Sequence, residues 1–253
     1  MQKTDLRALS RLHRAAFTLV EMLVVIAIMS ILMTAGAIGL GNMGGKGVTS
    51  GVASAESLFD EARSIAVGQN LRACVLVAKN LTNNPGDNFR RIVVAAEETE
   101  TNTSSPDFGK AKNPTSPTPN WVITTRGVML PDQTFFSERF SKKNHSTGSG
   151  AIEEVQSSKL QSSPGQAVKA SYAGSYYFYE FNSQGIIKNA GSSFVIGSGA
   201  RNASSATEKP KVTSAGKRDF GGFVVWRNGR TSTFRSPTQI DSGIMSLTPG
   251  KEF

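Results

Sequence analysis

The sequence predicts an α+β fold in which one long amino-terminal helix, with a first half apolar enough to span a membrane, packs on an antiparallel β-sheet. Three observations carry this expectation. From Met22 to Gly45 no residue is ionisable, and as a helix that run reaches about 36 Å, against about 30 Å for the hydrocarbon core of a bilayer. Val52, Ala55, Leu58, Phe59, Ala62, Ile65 and Ala66 then recur at helical spacing, with Glu56, Asp60, Glu61 and Arg63 on the other face. After Leu71 the apolar residues come in short runs rich in β-branched and aromatic side chains, broken by Gly, Pro, Asn and Ser.

Residues 1–16 form a basic leader, with Lys3, Arg7, Arg11 and Arg14 against Asp5 alone. The positive-inside rule keeps that end in the cytoplasm, so the chain beyond residue 40 is expected to be exported. Within the apolar stretch of residues 17–40, Glu21 is the one charged group. An unpaired carboxylate there costs about 2.5 kcal/mol or more, and a plain anchor has no use for it. An ordinary secretory signal has a shorter apolar region followed by its cleavage site, which fits neither the length of this run nor the place of Glu21.

The stretch Ala16-Phe17-Thr18-Leu19-Val20-Glu21 resembles the cleavage and methylation motif of type IV prepilins and type II secretion pseudopilins. The resemblance implies that a prepilin peptidase cuts between Ala16 and Phe17 and methylates the new amino group of Phe17. It implies that Glu21, the fifth mature residue, guides assembly. Ala16 stands where the family usually carries Gly, and it is small enough for cleavage. The physical reading agrees: in a stack of parallel helices a carboxylate one turn from an amino terminus can meet the amine of a neighbour, neutralising both charges in a low-dielectric setting. The partners implied are the peptidase, other pilins or pseudopilins, an inner-membrane assembly platform and membrane lipid. The location implied is the bacterial inner membrane, single-pass with the exported domain in the periplasm, and then a filament.

Gly36, Gly39, Gly41, Gly44, Gly45, Gly47 and Gly51 crowd the next span. A glycine inside a helix costs roughly 1 kcal/mol relative to alanine, so residues 41–70 read as a glycine-rich hinge followed by the amphipathic helix, one helix from Phe17 to Gln69 that is weakest between Gly36 and Gly51. Residues 71–253 read as the β-rich exported domain. Ala62-Arg63-Ser64-Ile65-Ala66 before the run Leu71 to Ala78, and Tyr179-Glu180-Phe181-Asn182-Ser183-Gln184-Gly185 further on, are similar to minor pseudopilins of the GspH and FimT type.

Strands are expected at Phe89 to Ala96, Trp121 to Thr125, Ser175 to Asn182, Ser193 to Ile196, Gly222 to Arg227 and Arg230 to Arg235. The last two are joined by Asn228-Gly229, a strong hairpin signal. A short helix is expected over Ala151 to Leu160, and surface loops or local disorder at Thr99 to Asn120 and Ser141 to Gly150.

Cys74 is the sole cysteine, so no internal disulfide forms, and Val75, Leu76 and Val77 beside it point to a buried thiol. His13 in the leader and His145 in a polar loop fall on opposite sides of the membrane and build no metal site. No nucleophile elbow and no phosphate-binding loop is present, so neither catalysis, metal nor cofactor is expected. Glu97-Glu98 and Glu153-Glu154 read as solvated faces. The formal charge of +9, of which +3 lies in the leader, permits acidic partners without requiring them.

The carboxyl end admits a competing reading as a binding module. Lys209, Lys211, Lys217, Arg218, Arg227, Arg230 and Arg235 interleave with Phe220, Phe223, Trp226 and Phe234, a composition that can track phosphates and stack bases. Some FimT-like relatives are associated with DNA uptake. Alternation of charged and apolar residues is also what a half-buried strand displays, and that reading is preferred. A simple membrane-anchored exported domain is the remaining alternative.

Overall fold

The computed structural model describes residues 19–41, 43–201 and 208–253. It divides into two units at residues 42 and 43. The first contains helix α1, Leu19–Gly41. Its side chains are described from Leu19 to Ser30, and all are exposed. Among the described residues no helix is long and apolar enough to cross a membrane, so the span drawn over residues 17–40 stays a sequence expectation. Of the single helix expected from Phe17 to Gln69, α1 and the helix Met43–Gln69 are described, in separate units, and Phe17, Thr18 and Asn42 lie outside the described residues.

The second unit opens with helix α2, Met43–Gln69. Thirteen strands follow among the described residues: β1 Ala73–Leu81, β2 Arg91–Glu97, β3 Trp121–Ile123, β4 Val128–Met129, β5 Thr134–Phe136, β6 Glu153–Gln156, β7 Leu160–Ser163, β8 Gln166–Ala167, β9 Gly174–Phe181, β10 Ser192–Ala200, β11 Lys211–Val212, β12 Phe220–Val225 and β13 Thr231–Thr233. They form two sheets where the sequence pointed to one. The first runs β6, β9, β1, β2, β3, β7, β8, with β4 also on β2; the second runs β11, β10, β12, β13, with β5 also on β10. Pairing is antiparallel except between β3 and β7.

α2 bridges both sheets, contacting β1 and β2 of the first and β10 and β12 of the second. Its apolar stripe is buried at Ala55, Leu58, Phe59, Ala62 and Ala66, which is the face read from the sequence. Phe59 is the hub: its ring meets Tyr179 at 5.1 Å, Phe223 at 5.0 Å, Phe194 at 5.6 Å and Phe181 at 6.2 Å, all edge-on. Edge-to-face contacts of this kind add to the area each ring removes from water.

The unbroken apolar run in β1 follows from burial on both faces. Ala73, Val75 and Val77 face the α2 core. Cys74, Leu76 and Ala78 face a second cluster with Val93, Trp121, Leu160, Tyr176 and Phe178 on the opposite side of the sheet. A strand covered on both faces has no reason to alternate with polar residues. Cys74 is thus a core residue, and burial holds its thiol well above the ordinary range.

Several expectations are corrected. The span Ala151 to Leu160 is β6, a 3-10 turn at Ser157–Lys159 and the start of β7, because Glu153↔Phe178 and Val155↔Tyr176 pairing with β9 overrides local helix preference. Strand β2 starts two residues later than expected, since Phe89 has a φ of 63°, outside the extended region. The glycine-rich start of α2 is helical, and its glycines admit close packing: a β-carbon on Gly51 would lie 2.8 Å from Ile196 Cδ1. The loop at Thr99 to Asn120 is on the surface, as expected, and is tied by Gly109 N donating to Glu100 O and Lys112 N to Glu98 O, each at 2.9 Å.

Candidate functional site

Two surfaces were candidates from the sequence, and they lie in different units. In the first, Ala16 and Phe17 fall outside the described residues. Glu21 sits in the first turn of α1 with its side chain exposed. Leu19, Val20, Met22, Leu23 and Ile26 around it are between 57% and 81% exposed. An apolar helix surface left uncovered in this way is one that other apolar matter covers.

The second surface is the basic carboxyl end, and the structure separates its members. Phe220 and Phe223 are core residues, so their alternation with charge is the alternation of a half-buried strand. Lys209 pairs with Glu138 at 2.8 Å and Lys211 with Glu208 at 2.9 Å. Gly221 lies against Val48 and Val52 near the start of α2, while Gly229 lies against Arg63 near its end. Arg235 lines a groove with Val48, Thr49 and Asp219. Lys217 and Arg218, just before β12, and Arg235 therefore belong to the start of α2, and Arg227 and Arg230 to its far end. The two groups are roughly 20 Å apart at 1.5 Å per helical residue. The hairpin turn itself forms as expected, with Trp226 N donating to Arg230 O and Gly229 N to Trp226 O at 2.8 Å each. Trp226 is half-exposed there, its indole donating to Ser232 Oγ at 2.8 Å.

An ionic network at the far end of α2 escaped the sequence reading. Arg72, directly before β1, forks onto Glu97 at the end of β2, with Nε to Oε2 at 2.9 Å and Nη2 to Oε1 at 2.5 Å. Its Nη1 donates to Ser116 O at 2.8 Å. Glu97 and Glu98 are each only 3% exposed, which corrects their reading as a solvated face. Burial alone would raise the Glu98 carboxyl, but hydrogen bonds from Asn120 and Lys112 bring it below the usual range. Glu153 also sits low: its partial burial is outweighed by Lys143 and Lys188. Glu180, which lines a cleft of about 580 Å³ with Arg72, Lys188 and Arg227, is raised, because its burial outweighs both Lys188 and Arg72. The sequence signal for Arg72 and Glu97 is the antiparallel register Ala73↔Ala96, which sets their side chains at one edge, and it is invisible until the pairing is known. Among the described residues no group of His, Cys, Asp and Glu is disposed to hold a metal ion, and His145 instead packs its ring 4.7 Å from Phe234.

Residues 11–37 match the family model described as the prokaryotic N-terminal methylation motif. No curated protein and no solved structure matches the chain. The matched motif implies processing by a prepilin peptidase and assembly with other pilins, and it suggests a structural subunit rather than an enzyme. The chain carries, around Phe17 and Glu21, the prepilin amino-terminal motif of the type IV pilin and pseudopilin family.

Proposed function

We propose that this chain is a minor, pilin-like subunit of the GspH and FimT type, which builds a pilus-like filament of a type II secretion or type IV pilus system. In this reading a prepilin peptidase cleaves between Ala16 and Phe17, Phe17 is methylated, and residues 17–40 hold the chain in the inner membrane with the leader cytoplasmic and the β-rich domain exported. The assembly platform then draws it into the filament, where Glu21 meets the amino terminus of a neighbouring subunit. The observation that supports it best is the coincidence of the matched motif with a carboxylate on an otherwise apolar, exposed helix.

Mass spectrometry of the mature amino terminus tests processing. Methylated Phe17 is expected, and an intact Met1 terminus in cells with active peptidase counts against the reading. Glu21→Gln tests assembly. Removing a charge from an apolar segment eases insertion, and the cleavage site is untouched, so mature protein accumulates in the membrane. Incorporation falls, because a desolvated ammonium left without its counter-charge costs about 3 to 5 kcal/mol. Equal recovery of Glu21→Gln and unaltered protein in purified filaments would leave only a membrane-anchored domain.

A further inference from the structure

The end of the domain at the start of α2 carries three exposed cations, Lys217, Arg218 and Arg235, and none of them forms an ion pair among the described residues. Several neighbouring charges at this end have partners of their own. Arg90 is paired with Asp132 at 2.6 Å, and Asp132 lies beside Gly47. Glu56 accepts from the Thr231 hydroxyl. Asp219 is half-buried, burial pushes its carboxyl above the usual range, and it lines the same groove as Arg235 and Glu56. Arg218 moreover holds a φ of 69°, a left-handed backbone position that glycine occupies without strain. The turn before β12 thus keeps a cation on the surface at a conformational cost.

We propose that this end of the domain is a docking surface for anionic phospholipid headgroups, with Lys217, Arg218 and Arg235 as the contacts. The inference rests on the membrane-inserted reading given above. The expected apolar segment, residues 17–40, ends within three residues of Met43, where α2 begins, so insertion of that segment tethers the start of α2 within a few residues of the membrane, and Lys217, Arg218 and Arg235 belong to that end of the domain. Charge complementarity then selects anionic over zwitterionic lipid. Each cation near an anionic surface is worth about fivefold in the docked-to-undocked ratio, and three together about a hundredfold. The contact orients the domain on the exported face of the membrane before assembly and is released as the subunit enters a filament. Arg227 and Arg230, roughly 20 Å away along α2, take no part.

The test uses the full chain in nanodiscs of phosphatidylcholine, alone or mixed with phosphatidylglycerol. Cys74 is buried, so a fluorophore on Ser214→Cys reports alone, with energy transfer to a headgroup-labelled acceptor lipid. Transfer is expected to be higher with phosphatidylglycerol and to fall as salt is raised. It should drop to the phosphatidylcholine level in the Lys217→Gln, Arg218→Gln, Arg235→Gln triple variant, with an unchanged thermal melt, and stay high in Arg227→Gln, Arg230→Gln. Equal transfer in the two lipid mixtures overturns the proposal. So does a labelled DNA duplex bound through the same three residues without any response to lipid charge, since that makes the surface a nucleic-acid one. Loss of the chain from nanodiscs in an alkaline wash is a different failure, because it removes the membrane reading itself.

Discussion

The side chain of Arg63 lies across Gly185, where a β-carbon would sit 3.1 Å from Arg63 Cγ and 2.8 Å from Val67 Cγ2. Gly229 of the β12–β13 hairpin closes over the other side of the same stem, its missing β-carbon 2.6 Å from Arg63 Cδ and 2.5 Å from Gly185 O. Both glycines have positive φ, 72° and 75°. The aliphatic part of Arg63 therefore threads between two turns far apart in sequence and ties the end of α2 to each sheet. Gly185→Ala and Gly229→Ala should each destabilise the fold by about 1–3 kcal/mol, combining backbone strain with the clash. Gly109→Ala is the control: its φ is 78° but nothing lies within 4 Å of the added carbon, so only the strain remains. Urea unfolding of the three variants checks the order, and equal losses at all three would mean that the Arg63 crossing contributes nothing.

Phe59 is fully buried among four aromatic rings drawn from both sheets. Phe59→Ala is expected to cost about 3–5 kcal/mol, and Phe59→Leu distinctly less, measured by the denaturant midpoint. Because the ring joins α2 to both sheets, the Ala variant should lose its protection from proteolysis in α2 and in β12 together.

The fork of Arg72 on Glu97 is a nearly dry ion pair, with side chains 17% and 3% exposed. Glu97→Gln removes the forked counter-charge and leaves the guanidinium only Glu180, 3.8 Å away, and should destabilise by up to about 3 kcal/mol. Arg72 also anchors the loop through Ser116 O and Asn113 O. Arg72→Met is therefore predicted to open residues 113–120 to limited proteolysis even where global stability survives, and an unchanged cleavage pattern there argues that the loop is held by its own turns.

Acid should unfold the domain in a defined window. Glu98, Glu138 and Glu153 are each pushed up by burial but brought below the ordinary carboxylate range by Asn120 and Lys112, by Lys209, and by Lys143 and Lys188. Their folded values lie below the unfolded value of about 4.3, so the stability they contribute is present above that pH and is lost as pH falls through the folded values. Glu180 is raised and has the opposite sign: its contribution is present at low pH and is lost as pH rises from the unfolded value through the folded one. Melting temperatures should fall steeply below about pH 4, and Glu180→Gln should remove a loss of stability seen on raising the pH above that range. Flat melting temperatures from neutrality down to pH 3 would contradict both assignments.

The sequence by itself determined what depends on local order along the chain. The motif around Phe17 and Glu21 is contiguous, the α2 stripe repeats within one helix, and the Asn228-Gly229 turn needs only its own residues and their φ angles. Each of these is written at the spacing at which the physics acts. Tertiary structure alone decided what depends on pairing between distant segments. Two sheets form because α2 presents a stripe wide enough to bury a face of each. Glu153-Glu154 lies in strand β6 because β9 is beside it, and Glu97-Glu98 is buried because Arg72 and Lys112 arrive from elsewhere in the chain. The basic carboxyl end shows the same limit: Lys217 and Arg227 are close in sequence, but the six-residue strand β12 lies between them and holds them at opposite ends of α2. Residue spacing along a chain gives proximity in a helix and separation in a strand.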